Sequence, residues 1–167
     1  MRLRNPKLQL FAFATLVLCE IQATAAVSVP AFNQFPVKEH FRGRAARPNL
    51  SSPRAHLYRT VLRDAAKNGP NFAGHFIIAL WGCGSACASW AMINARTGAV
   101  WFAPFTVSAP PCKDSPAFCN QSIDFELDSN LIVVTGSRNE TGAGRYFYRW
   151  DDGRLSLIDK IEGTQKP

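Results

Sequence analysis

Beyond Pro70 every apolar run in this chain is short and closes on a cluster of turn-forming residues. No other feature narrows the fold as much. Runs of this length suit strands. Short turns between strands impose antiparallel neighbours, because a parallel return needs a crossover of a dozen residues or more. The spacing predicts strands at 72–81, 88–94, 100–105, 122–127, 131–135, 145–150 and 155–161. Between them lie turns at 82–87, Arg96-Thr97-Gly98, Asp128-Ser129-Asn130 and Asp151-Asp152-Gly153, a Pro-rich loop at 107–121 and a Gly-rich loop at 136–144. The first run is apolar on both alternating faces apart from His75, which suits a strand covered on both sides and central in its sheet. In 122–127, Ile123, Phe125 and Leu127 alternate with Asp124 and Glu126 and are expected to face inward.

One helix precedes the strands. Ser52 is its expected N-cap, Pro53 occupies the first turn, and Asn68-Gly69-Pro70 ends it. Over 53–68, Leu57, Tyr58, Val61, Leu62 and Ala65 fall at helical spacing and give one apolar face. Residues 26–52, punctuated by Pro30, Pro36 and Pro48, read as an extended N-terminal arm that Phe32, Phe35 and Phe41 can pin down. The expected fold is α+β: one N-terminal helix packed on a mainly antiparallel meandering sheet of about seven strands. It fills a single domain at 53–162, with a C-terminal tail at 163–167.

Residues 1–25 read as a cleavable signal peptide. Arg2, Arg4 and Lys7 are followed by an apolar run at 8–18 and by Ala23-Thr24-Ala25, a small-x-small cleavage site. The run is well short of the roughly 20 residues that span a bilayer. No later stretch is long enough either, so no transmembrane segment is expected after cleavage. Leu18 precedes Cys19 where lipidation wants a small residue, so no lipid anchor is expected.

Cleavage takes Cys19 from the 5 cysteines and leaves Cys83, Cys87, Cys112 and Cys119. In an exported chain these read as two structural disulfides with three possible connectivities. Hairpin geometry favours Cys83–Cys87 with Cys112–Cys119. Loop entropy favours the rival, Cys83–Cys112 with Cys87–Cys119, because larger rings stabilise more. The pairing expected here rests on the hairpin geometry. C-x3-C and C-x6-C spacings fit zinc poorly, and no metal or other cofactor is expected. C-x3-C also lacks the thioredoxin spacing.

Of 19 basic and 12 acidic residues, the signal peptide carries Arg2, Arg4, Lys7 and Glu20, so the exported part has a net charge of +5. Arg42, Arg44, Arg47, Arg54, Arg59 and Arg63 cluster near its start. Such a cluster can meet an anionic partner, which outside the cytoplasm means an envelope polymer or lipid head groups. No base-stacking aromatics alternate with these arginines, so nucleic acid is not expected as a partner.

The densest unusual composition lies in Asn71-Phe72-Ala73-Gly74-His75 and Trp81-Gly82-Cys83-Gly84-Ser85-Ala86-Cys87. On these motifs the chain resembles a family of small exported bacterial proteins of unknown function, marked by a pattern like NFAGH(Y/F)…WGCGxxC. The likeness runs from about Phe41 to Ile158. It takes in Arg59-Thr60-Val61-Leu62-Arg63 and Val133-Val134-Thr135-Gly136-Ser137-Arg138-Asn139. The resemblance implies export and a shared fold and brings no catalytic residue with it.

The ligand-site candidates are His75, Trp81, Arg138, Asn139 and Glu140. His75 can titrate near working pH and serve as a general base. However, Ser85, Ser89 and Ser137 are not set in a nucleophile elbow. Arg138, Asn139 and Glu140 lie where a strand enters the Gly-rich loop, which is not a phosphate cradle because no Lys-Ser/Thr follows. Trp81, Trp90, Trp101 and Trp150 can floor a sugar groove, but strand tryptophans are more often core. Asn49-Leu50-Ser51, Asn120-Gln121-Ser122 and Asn139-Glu140-Thr141 fit the glycosylation pattern, which matters only in a host that uses it. The sequence points to a non-catalytic periplasmic or secreted protein that binds an envelope protein or an anionic polymer. The alternative is a hydrolase using His75 with a loop residue.

Overall fold

The computed structural model describes residues 28–110, 120–151 and 153–163. The expected single helix is two short ones, α1 (Pro53–Leu57) and α2 (Arg59–Lys67). Ser52 Oγ accepts from the Ala55 N–H at 3.1 Å, and Pro53 starts the first turn. Tyr58, at φ −95° and ψ 18°, leaves helical geometry and breaks the 3.6-residue period. Leu57, expected on the apolar face, is therefore 68% exposed, and Ala55 is buried in its place. Asn68 and Gly69 end α2 as the sequence predicts, with Gly69 at φ +75°.

Among the described residues the sheet has eight strands rather than seven, and every pairing in it is antiparallel. They are β1 (Phe76–Gly84), β2 (Cys87–Asn94), β3 (Val100–Phe102), β4 (Val107–Ser108), β5 (Ser122–Phe125), β6 (Leu131–Arg138), β7 (Thr141–Asp151) and β8 (Arg154–Glu162). The order is β1-β2-β4-β6-β7-β8, with β3 also on β2 and β5 also on β6. The architecture is thus α+β, a mainly antiparallel sheet with little helix. β4 is the strand that the sequence hides inside a loop. Its two residues pair with Cys87 and Ala88 of β2 and with Ser137 and Arg138 of β6, joining the two halves of the sheet.

The halves face each other across the main core. Phe76, Ile78, Trp90 and Met92 from one half meet Ile132, Val134, Tyr146, Tyr148 and Trp150 from the other. Edge-to-face contacts such as Phe76–Trp150 at 5.4 Å and Trp101–Trp150 at 5.1 Å each add about 0.5–1.5 kcal/mol beyond area burial. The outer face of β1 and β2 (Ile77, Ala79, Ala91, Ile93) is covered by Ala55 and Leu62 of the helices. The outer face of β6 and β7 (Leu131, Val133, Phe147) is covered by Phe32 and Phe35 of the arm. β1 is covered on both faces only over Phe76, Ile77, Ile78 and Ala79, beyond which Leu80 is 46% exposed, and it is an edge strand rather than a central one. Leu127, expected inward, is 38% exposed because β5 ends at Phe125.

The arm is held by backbone bonds along its length. Val37 N–H donates to Asp128 O, Phe41 N–H to Gly74 O, Ala46 N–H to Ala95 O and Asn49 N–H to Gly98 O, at 3.1, 2.8, 2.8 and 2.7 Å. Two glycines make this approach possible. A Cβ on Gly74 would sit 2.1 Å from Glu39 O, and one on Gly98 would sit 2.1 Å from Arg47 O. Among the described residues no helix is long and apolar enough to cross a membrane.

Candidate functional site

His75 does not lie on a strand. The run predicted to start at Phe72 is interrupted: Phe72 and Phe76 exchange N–H···O bonds at 3.0 and 2.8 Å, and Ala73-Gly74-His75 is the turn between them. Ala73 and Gly74 both take positive φ, 44° and 72°. The turn's backbone groups then reach three neighbours. Gly74 N–H donates to Leu127 O at 2.7 Å, Gly74 O accepts from Phe41, and His75 O accepts from the Ala95 N–H at 2.8 Å. The half-buried His75 ring packs on Phe76 at 4.3 Å between centroids.

Asn71 completes the knot. Its Oδ1 accepts from the Ile78 N–H at 2.8 Å and its Nδ2 donates to Ile78 O at 3.4 Å. The carboxamide mimics a neighbouring strand and occupies the open edge of β1. Asn71-Phe72-Ala73-Gly74-His75 is thus where the arm, β1, the β2–β3 turn and the β5–β6 turn are fastened together.

The remaining candidates stand at the other end of the sheet. From Phe76 to Gly84, β1 extends about 26 Å at about 3.3 Å per residue. Its far end carries the Cys83–Cys87 disulfide, with Cα atoms 5.1 Å apart. This bond excludes the rival connectivity. Cys112 and Cys119 lie outside the described residues. The hairpin loop is two residues rather than three: Gly84 pairs with Cys87, and Cys83 sits in a bulge.

β4 brings this hairpin beside the β6–β7 hairpin. The expected Gly-rich loop is mostly strand, reduced to Asn139-Glu140 at φ 50° and 62°. Asn139 fastens the turn, its Oδ1 accepting from the Thr106 N–H at 2.9 Å while its own N–H donates to Thr106 O at 3.0 Å. Glu140 is exposed at the tip. The structure therefore brings Cys83–Cys87 and Arg138–Glu140 to one end and keeps His75 at the other.

Arg138 lies over the Tyr146 ring at 3.8 Å and donates from Nη1 to Tyr148 Oη at 2.7 Å. Its Nε is buried with no hydrogen-bond partner. Burial pushes the Tyr148 phenol above its ordinary pKa against the pull of Arg138. Burial lowers the Arg138 pKa, but the bond to Tyr148 and the two phenols outweigh it, so the net shift is upward. Phe105 stacks on Tyr148 at 5.3 Å. Sequence spacing did not show this aromatic clamp, because Phe105, Arg138, Tyr146 and Tyr148 come from three separate segments. Trp81 faces the other side of the sheet, packed on Tyr58 at 4.5 Å with its Nε1 buried and unpartnered. Trp90 and Trp150 are 1% and 3% exposed and belong to the core rather than to a groove.

One hollow belongs to the basic cluster. A cleft of about 710 Å³ runs between arm residues 43–50 and the C-terminal part of α2, continuing to Gly69. Its cations are Arg44, Arg47, Arg63 and Lys67, all exposed. Lys67 bonds Asp64 at 2.6 Å, whereas Arg44, Arg47 and Arg63 have no ion-pair partner among the described residues. The cluster read from sequence is divided here. Arg54 lies over the Phe102 ring at 4.4 Å, Arg59 donates to His56 O, and Arg42 lines a separate hollow with Lys38, Glu39 and Arg96. A smaller cleft of about 400 Å³ opens beside the disulfide, between Leu80, Ala88 and Ile123. Among the described residues no group of three or more His, Cys, Asp or Glu side chains could hold a metal ion. In comparisons with known proteins, no family model, no curated protein and no solved structure matches this chain.

Proposed function

We propose that this is a non-catalytic exported protein that binds an anionic component of the cell envelope in the cleft between its arm and α2. One observation carries the reading: Arg44, Arg47 and Arg63 converge on a hollow of about 710 Å³ with no carboxylate among the described residues paired to any of them. Guanidinium groups present planar forks of donors that suit phosphate or carboxylate oxygens. The arm that carries Arg44 and Arg47 is fixed by the Ala46–Ala95 and Asn49–Gly98 backbone bonds, so two of the cations are positioned before any ligand arrives. The basic leader at 1–25 and the Cys83–Cys87 disulfide support a periplasmic or secreted location. A hydrolase using His75 with a loop residue has less support, because Arg138 and Glu140 stand at the far end of the sheet from His75.

Titration with short-chain inorganic polyphosphate and with uncharged dextran tests the proposal. Polyphosphate should bind and dextran should not. With four cations engaged, the logarithm of the binding constant should fall with the logarithm of salt at a slope near −3, by analogy with about −0.7 per charge on single strands. Substituting glutamine at Arg44, Arg47 and Arg63 together should flatten that slope and abolish binding. Equal polyphosphate binding by this variant would overturn the assignment.

A further inference from the structure

The basic cleft also has a floor, and its composition narrows the ligand. Ala45, Ala46, Pro48, Leu50 and Ala66 are half-buried along it, and the cations stand around them. Its lining is built from small residues, Gly43, Ala45 and Ala46 on the arm and Ala66 and Gly69 on the α2 side. A ligand whose charges lie all along its length would meet the cations but leave this apolar strip wet. One with a compact anionic head and an apolar body would satisfy both parts. Pockets that take such molecules are mostly apolar with a few placed polar groups and have volumes of about 300–1,000 Å³.

Resting on the proposal that this cleft binds an envelope anion, we infer that its ligand is an anionic amphiphile: a phosphate head held by Arg44, Arg47, Arg63 and Lys67, with the first methylenes of its chain on the alanine floor. The apolar strip is a few side chains long, so it covers only the head-proximal part of the chain. The remainder stays in the membrane or in a second carrier, which makes the cleft a docking place for a lipid head rather than a container for a whole lipid.

The test compares octyl phosphate, methyl phosphate, octyl glucoside and polyphosphate by calorimetry, below any micelle concentration. Each buried methylene favours binding by a factor of about four, so covering three or four should make octyl phosphate roughly 100-fold tighter than methyl phosphate. Octyl glucoside, with the chain and no charge, should bind at least tenfold more weakly than octyl phosphate. Ala66→Phe fills the floor and leaves all four cations, so it should remove the preference for octyl over methyl phosphate. If octyl and methyl phosphate bind alike while polyphosphate still binds, the amphiphile is overturned and the anion cleft stands. If octyl glucoside matches octyl phosphate, the head-group role is overturned. If none of the phosphates binds, the underlying assignment of the cleft falls as well. Should Ala66→Phe fail to fold, Ala45→Leu fills the same floor from the arm side and must give the same loss of chain preference.

Discussion

Replacing Gly98 by alanine tests whether the arm is seated on the β2–β3 turn. Gly98 is buried at φ +78°, and an added Cβ would lie 2.1 Å from Arg47 O and 3.1 Å from Arg47 C. Contact distances are about 3.5 Å, so the Arg47 carbonyl must withdraw by more than an ångström. The Asn49–Gly98 and Ala46–Ala95 bonds flank that point, and their loss costs about 0.5–1.5 kcal/mol each. The left-handed conformation adds about 1–2 kcal/mol for any side chain. Gly98→Ala should therefore lose about 2–5 kcal/mol. Gly69 is a built-in control: it has nearly the same φ, +75°, and nothing within 4 Å of the added Cβ. Gly69→Ala should lose only the conformational cost. Urea denaturation should separate the two variants by about 2 kcal/mol, or about 4–8 °C in Tm for a domain of this size. Polyphosphate binding should weaken in Gly98→Ala, because Arg44 and Arg47 move with the arm. Equal destabilisation of the two variants would refute the seating of the arm, and Gly98→Ala with unchanged affinity would refute its part in the cleft.

Three further outcomes follow from single contacts. Asn71→Leu should destabilise by about 1–3 kcal/mol through the unpaired Ile78 backbone and should raise aggregation on heating by baring the β1 edge, both read by melting with light scattering. Because burial raises the folded Tyr148 pKa above its unfolded value, its contribution to stability is complete below about pH 10 and is lost as pH rises through the folded pKa. The urea midpoint should therefore hold from pH 7 to 9 and fall above 10, and the fall should shrink in Tyr148→Phe. Serine at both Cys83 and Cys87 removes a five-residue ring and should cost about 2 kcal/mol, with no change in binding at the distant basic cleft.

The parts of the fold that the sequence showed are those where one local rule acts alone. Ser52-Pro53 and Asn68-Gly69 mark the helix ends because capping is local, and β2 and β6 to β8 are legible as short apolar runs closed by local turn residues. β4 could not be read that way. Two residues carry no period, and they pair only because β2 and β6 arrive on either side. Tyr58 likewise breaks the helix without a proline or glycine to announce it. The run from Phe72 reads as one strand because its apolar character continues through Ala73, an alanine at φ 44° that no propensity predicts. Glu126 O accepts from the Ala73 N–H, and Leu127 and Phe41 of the arm bond Gly74, so contacts remote in sequence hold the turn in place.

The same contrast explains where the candidate site was sought and where it lies. Asn, Gly and His packed together suggest chemistry, yet a knot joining four segments needs those residue types. It needs a glycine where another backbone passes at van der Waals distance, a carboxamide that can imitate a peptide group, and a polar ring at a half-buried turn. In the sequence the arginines at 44, 47 and 63 read only as charge. Their convergence depends on the arm returning to Ala95 and Gly98, and the hollow between them depends on small residues that carry no signal of their own. In this chain the unusual motif fastens the arm, and the fastened arm lines the proposed binding cleft with ordinary arginines and alanines. His75→Ala should therefore act on the cleft only through the stability of the knot. A variant that melts early but binds polyphosphate normally at low temperature fits this assignment. A stable one that has lost binding would return His75 to the site.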